Sequence, residues 1–401
     1  MSGSKPRSIV FSDATADDLV SRIRLPKGRG KLAAAIDHGG THPRFGVFDE
    51  SGNPVLKLRG RKEPLREGVL LDLPTYERMP DVKRVRSAKD LPEYMAHRLR
   101  DWLRPILAQV EYLGYAMAGP VTEDGVQVNT PNIWGPEVAN VPWRAMLEDA
   151  LDMRGRVALG NDMWAAANDL IARGAQHRPP YAVDNFIVIT VSSGIGSKVV
   201  RHRKVDLGVD GLAGEIGHLP ILWPEEVIPG RRCGCGRLYC LEAGSSGNSN
   251  AHRAKTEAER LQPLVGACPS AKLLETLNGI SLQPGDDLDH RVAAINEAVV
   301  KAAKRKDPLA RYILRRTMRP LARAVAALES QLNIGSFYFV GGFALALDDL
   351  FLDLLRAEIA ELGGISGRSE QQIMRIGRLY KVSVHDWGLR GAALGAQLAL
   401  G

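Results

Sequence analysis

Three of the chain's four cysteines fall within eight positions, as Cys233-x-Cys235-x4-Cys240 in the run RRCGCGRLYCLEAGSSG. That spacing is too tight for a set of disulfides and suits thiolate ligation of a soft metal. Upstream, GEIGH supplies His218, so His218, Cys233, Cys235 and Cys240 compose a Cys3His set. Such a set makes a closed, tetrahedral, structural zinc site with no position left for a catalytic water. The plain alternative is a loop with three free thiols. If zinc takes one ring nitrogen of His218, the other is an N–H donor. Glu215 and Glu242 then bracket the same spot, and two carboxylates with an imidazole N–H form a receptor for a polyol. The fourth cysteine, Cys268, reads as a small buried hydrophobe.

Two glycine turns offer a different chemistry. In Asp37-His38-Gly39-Gly40-Thr41 a carboxylate ends an apolar strand, and the glycines let backbone N–H groups approach an anion. Thr41 adds a hydroxyl. A tight hairpin turn explains the same residues. Ser192-Ser193-Gly194-Ile195-Gly196-Ser197 repeats the pattern after the strand IVITV, which favours a phosphate gripped between two turns. Neither a Walker A loop nor a G-x-G-x-x-G fingerprint occurs. Asn161-Asp162 stands at a strand end before a helix, where either residue type caps well. The chemical alternative makes Asp162 a general base accepting a hydroxyl proton, beside Asn161 as donor and acceptor.

The elements that must carry these residues alternate strand and helix. KLAAAIDHGGTHPRFGVFDE reads as strand, turn and strand; LPEYMAHRLRDWLRPILAQV as an amphipathic helix; YLGYAMAGPV as a strand. RVALGNDMWAAANDLIARG is strand then helix, NFIVITVSSGIGSKVV strand, turn and strand, SFYFVGGFALAL strand and turn, and GLRGAALGAQLALG a closing helix. This is the α/β pattern, with sites expected at strand ends. The glycine turns at Gly39-Gly40, Gly194-Gly196 and Gly341-Gly342 lie in two halves of the chain, which predicts a duplicated α/β unit around a cleft. Residues 1–30 read as a peripheral extension, and residues 60–95 as loop-rich.

At 401 residues, 45% hydrophobic and 25% charged, the chain has the composition of an ordinary soluble globular protein. No apolar run approaches the roughly 18 residues that span a bilayer, and the N-terminus lacks a signal-like apolar core. A cytoplasmic location with no membrane partner is expected. The net charge of +7 is dispersed among acids, so no nucleic-acid partner is expected; a mildly basic protein suits an anionic, phosphorylated ligand.

Together these motifs resemble the ROK family of repressors and sugar kinases over most of residues 31–401. The resemblance implies a two-lobed actin-like ATPase (ribonuclease H-like) fold with a cleft between a small and a large domain. Residues 1–30 would be an extension and 31–160 the small domain, completed by a C-terminal helix at 385–401. Residues 161–384 would be the large domain, with the zinc-binding loop at 214–242. It implies Asp37, Gly39, Gly40 and Thr41 as the first phosphate motif, Ser193 and Gly194 as the second, and Gly341-Gly342 as the adenosine motif. Asp162 would be the catalytic base, with Asn132, Asn161, Glu215, His218 and Glu242 positioning the acceptor.

The implied reaction moves the γ-phosphoryl group of ATP to a hydroxyl of a sugar or polyol: glucose, an aminosugar, an N-acetylhexosamine or a cyclitol. Mg²⁺ would bridge the phosphates near Asp37, Zn²⁺ would be structural, and the assembly would be a homodimer or homotetramer. Departures from the family pattern are His42-Pro43, Ser193 in place of Thr, and the long run LPILWPEEVIPGRR between His218 and Cys233. One alternative is a sugar-responsive transcriptional regulator, for which the segment before Lys31 is too short to hold a winged helix-turn-helix. The other is a non-catalytic sugar sensor.

Overall fold

Near-continuous apolar runs such as AAAI in residues 33–36 are the mark of strands covered on both faces, and the strand there is buried at every position. The computed structural model describes residues 9–26, 30–39, 43–82, 85–176, 184–262, 268–282, 290–362, 377–379, 381 and 384–401. The chain divides into two units. The first comprises Met1–Asp184, Arg201–Ala213 and Val382–Gly401, and the second Asn185–Val200 and Gly214–Lys381.

The first unit holds a sheet of β1 (Val10–Phe11), β2 (Ala33–His38), β3 (Arg44–Phe48), β4 (Val69–Leu71), β5 (Tyr112–Met117) and β6 (Val157–Asn161), in the order β1-β4-β3-β2-β5-β6. β2, β5 and β6 run parallel, with Asp37 opposite Ala116 and both His38 and Asn161 opposite Met117. The C-terminal ends of β2 and β6 therefore flank that of β5, which is where an open α/β sheet places ligands. On this sheet pack α1 (Ala16–Arg22), α2 (Leu91–Leu107), α3 (Pro131–Trp134), α4 (Trp143–Leu151) and α5 (Asp162–Gln176). α2 buries Leu91, Met95, Leu99, Trp102, Leu103 and Ile106, the one-sided spacing read from its sequence.

Residues 9–26 do more than trail from the sheet. β1 pairs in parallel with β4, Phe11 is fully buried, and the Asp13 carboxylate accepts hydrogen bonds from Arg98 and Trp102 of α2. The first unit also runs beyond residue 160, the boundary drawn from sequence, because α5 packs along the closing helix.

The second unit begins with β7 (Phe186–Val191), antiparallel to β8 (Ile195–Arg201). It continues through α6 (Leu241–Ser245), α7 (Gly247–Leu261), α8 (Ala271–Asn278), α9 (His290–Lys304), α10 (Pro308–Leu332), β9 (Phe337–Val340), α11 (Gly342–Leu347), α12 (Asp349–Glu361) and β10 (Arg378–Leu379). β9 is parallel to both β7 and β10. Its core gathers Ile187 and Ile189 of β7 with Ile313, Leu321 and Val325 of α10 and Phe351 of α12. Full burial of each aliphatic side chain contributes about 1.5–3 kcal/mol. The chain closes with α13 (Val384–Leu400), which belongs to the first unit. No helix among the described residues is long and apolar enough to cross a membrane.

Candidate active site

In the first unit, β2 delivers Asp37 to a nearly closed environment. The Asp37 side chain accepts a 3.1 Å hydrogen bond from Arg44, directly across the β2–β3 pair. Burial pushes its carboxyl up to about 6, Arg44 opposes that rise, and the charge of Asp162 adds to it. α13 passes so close that a Cβ on Gly388 would lie 2.4 Å from Asp37 Oδ2. A side chain at 388 would have to displace the carboxylate.

His38, the next residue, is fully buried and held neutral; burial lowers its pKa to about 3. Its Nδ1 lies 2.7 Å from the Tyr115 hydroxyl, and its ring meets Trp134 of α3 edge-on. Asn132 sits exposed on that same helix. Gly39 is also exposed, whereas Gly40 and Thr41 lie outside the described residues.

Asn161 and Asp162 are held differently at the start of α5. Asn161 is buried, and its Oδ1 accepts the Trp164 backbone N–H at 2.8 Å, so Asn161 is the cap of α5. Asp162 is exposed, and its Oδ1 accepts the N–H of the adjacent Met163 at 2.8 Å. The carboxylate thus stands at a helix N-terminus whose cap is supplied by its neighbour.

In the second unit, Ser193 and Gly194 form the β7–β8 turn, closed by the Ser192 N–H donating to the Gly194 carbonyl at 2.9 Å. Glu242, the second residue of α6, is tied to this turn: its Oε2 accepts the Ile195 N–H at 3.0 Å. The GEIGH segment docks on β8 as well. Ser197 donates to the Gly214 carbonyl at 2.6 Å, and a Cβ on Gly217 would meet the Ile195 carbonyl oxygen at 2.2 Å, an approach only glycine permits. Glu215 thereby comes 3.7 Å from the ammonium of Lys198, a lysine that is 1% exposed. A cavity of about 690 Å³ is lined by Ser192, Ser193, Asn248, Asn296, Lys301 and Gly342, so the second turn and the start of α11 share one concavity.

The four proposed metal ligands converge. The donor atoms of His218, Cys233, Cys235 and Cys240 all lie within 4.8 Å of one another. His218 Nδ1 is 3.2 Å from Cys233 Sγ, and the Cys235 and Cys240 sulfurs are 3.5 Å apart. Zinc bonds of about 2.0–2.3 Å in a tetrahedron require donor separations of roughly 3.5–3.8 Å, so these residues fit the ion. Burial, with the nearby Glu242 charge, raises the Cys233 thiol, a penalty that a bound dication reverses. With Nδ1 turned to the sulfurs, Nε2 of His218 is the nitrogen left for a ligand. The long run after His218 is pinned in place. Arg323 of α10 pairs with Glu226 and stacks 4.3 Å from the Trp223 ring, and Arg253 of α7 donates to the Glu226 carbonyl.

Sequence reasoning missed Arg44, Lys198 and Gly388. Lys198 carried a signal: a lone lysine inside the strand IGSKVV, at a position flanked by buried residues.

The architecture is that of an actin-like ATPase. A ROK-family glucokinase from Streptomyces griseus, solved with glucose and AMPPNP, superposes with a TM-score of 0.59 at 24% identity, covering 90% of this chain and 98% of that one. A ROK-family transcriptional regulator, a homolog of E. coli MLC, gives 0.62 at 18% identity over 92% of this chain and 80% of its own. At such identities the likeness speaks for the fold alone. The family model described as "ROK family" matches residues 75–397, and the chain belongs to that family. The C(7)-cyclitol 7-kinase of Streptomyces hygroscopicus subsp. limoneus is 36% identical over 260 residues, 65% of this chain and 67% of that protein. An N-acetylmannosamine kinase of Escherichia fergusonii is 28% identical over 366 residues, 90% and 97% of the two chains. By class, the protein is a sugar kinase.

Proposed function

We propose that the chain transfers the γ-phosphoryl group of ATP to a hydroxyl of a hexose or cyclitol-type polyol, with Asp162 as the general base. The observation that carries this reading is the division of labour at the start of α5. Asn161 caps the helix through Trp164, and the Asp162 carboxylate, exposed in the first turn, is placed to take a proton. Glu215, Glu242 and the His218 Nε2–H position the acceptor, with Asn132 and Asn161 adding amide contacts. Ser193 and Gly342, which line the cavity between the β7–β8 turn and α11, hold the nucleotide together with their neighbours Gly194 and Gly341. Asp37, a buried carboxylate influenced by a second one, suits a hard dication, held through water; bound Mg²⁺ would neutralise charge on the transferring phosphates. Positioning and charge stabilisation account for most of the rate in such a transfer, and the base adds to it.

The 36% identity to a C(7)-cyclitol 7-kinase supports a cyclitol ahead of an N-acetylhexosamine. ADP release measured across glucose, glucosamine, N-acetylmannosamine and a set of cyclitols tests the proposal. Acceptor-dependent ADP formation is expected with at least one of them. ATP hydrolysis indifferent to every acceptor would contradict it.

A further inference from the structure

Lys198 belongs to neither the zinc site nor the nucleotide cavity, yet its position on β8 is unusual. Its side chain is 1% exposed, and its Nζ lies 3.7 Å from Glu215 Oε1, while the Glu215 side chain keeps 27% exposure. A lysine is almost never fully buried unless paired, because removing an ammonium from water is costly. The segment bearing Glu215 cannot drift from this cation. The Ser197 hydroxyl holds the Gly214 carbonyl, and Gly217 sits against the Ile195 carbonyl oxygen. The Glu215 carboxylate therefore sits beside a buried cation while its side chain stays partly accessible.

Given the reading that Glu215 binds the acceptor, we infer that Lys198 determines acceptor specificity by acting through Glu215. The buried ammonium fixes the carboxylate as an oriented hydrogen-bond acceptor for hydroxyl groups. It also offsets the negative charge that would otherwise attract a cationic acceptor. A hydroxyl donating to Glu215 meets a held carboxylate oxygen. An ammonium in the same place meets the like charge of Lys198 across a few ångströms of partly desolvated protein, a repulsion that discriminates against it. The site accordingly selects uncharged polyhydroxy acceptors over their amino-substituted analogues.

The test uses Lys198→Met, Lys198→Arg, Glu215→Gln and the Lys198→Met/Glu215→Gln double variant of the full chain. Glucose and glucosamine, differing by one hydroxyl against one ammonium, are the probes. Each is read as a competitor of the acceptor with the highest kcat/KM, below the amine's pKa. The native chain should bind glucose at least tenfold more tightly than glucosamine. Lys198→Met should shrink that preference about tenfold or more and raise the acceptor KM, with KM for ATP within about twofold. Lys198→Arg should retain the preference. On the Glu215→Gln background, Lys198→Met should still relieve the repulsion of glucosamine but leave glucose affinity unchanged, because its effect on glucose runs through Glu215. An ion pair that only secures the loop would lower the melting temperature and leave the preference intact, which overturns the inference. So does a Lys198→Arg variant that behaves as Lys198→Met does. If Lys198→Met does not fold, as judged by ATP binding, Lys198→Gln takes its place with the same expected loss of preference. Should Glu215→Gln weaken glucose while the Lys198 variants keep the native preference, this inference alone fails. Should Glu215→Gln leave glucose binding unchanged, the acceptor role of Glu215 falls with it.

Discussion

Asp37 and Asp162 stand at the ends of strands that flank β5, and the charge of Asp162 is felt at Asp37. Burial is the larger cause of the rise to about 6, and Arg44 works against both. A carboxyl whose folded pKa exceeds its unfolded value favours folding less as pH climbs between the two. The penalty is absent below pH ~4, grows to about pH 6 and is complete above it, on the order of 3 kcal/mol. Asp37→Asn should therefore melt relatively higher against the native chain at pH 7.5 than at pH 4, while losing phosphoryl transfer. Thermal unfolding at both pH values checks this, and a difference independent of pH contradicts it.

The Cys3His cluster should hold about one zinc per chain, measurable by elemental analysis. Cys235→Ser, or chelation, should lower the melting temperature and raise the acceptor KM together. The coupling arises because the loop that brings Cys233 and Cys240 to His218 also carries Glu242, whose Oε1 lies 3.6 Å from Cys233 Sγ. A chain freed of zinc that keeps its stability and its acceptor KM would remove the metal from the account.

Asn161→Ala should cost about 1–2 kcal/mol of stability through loss of the cap on α5. Asp162→Ala, at an exposed position, should cost far less. Denaturant unfolding of the two variants side by side separates the roles, and equal losses would put Asp162 in the cap.

Phe11→Ala should destabilise the first unit by about 3–5 kcal/mol, the usual loss for a fully buried aromatic. Unfolding near native values in this variant would return residues 9–26 to the status of a loose extension.

β2, β5, β6, β7 and β9 were readable from sequence because each is an apolar run ended by a glycine or Asx turn. The Cys3His cluster and GEIGH were readable because their residue types and spacing serve few other purposes. β1 was not, since Val10-Phe11 is too short to show a period and its partner β4 lies far along the chain in a charged stretch. Which of Asn161 and Asp162 caps α5 was equally hidden: both residue types favour caps, and only the direction of the Asn161 side chain shows that it accepts the Trp164 N–H. Lys198 and Arg44 gain their meaning from Glu215 and Asp37, partners that lie on other elements of the fold. Such pairings depend on strand register and on how the loop docks, which residue types alone do not specify.

Steady-state ADP release by Asp162→Asn, with the acceptor that the native chain turns over best, tests the central claim most directly. The substitution preserves size and leaves the Asn161 cap untouched, so folding should be unchanged. A general base predicts a kcat lower by about 10²–10⁴ with little change in the KM for ATP. A kcat near that of the native chain would contradict the proposed chemistry.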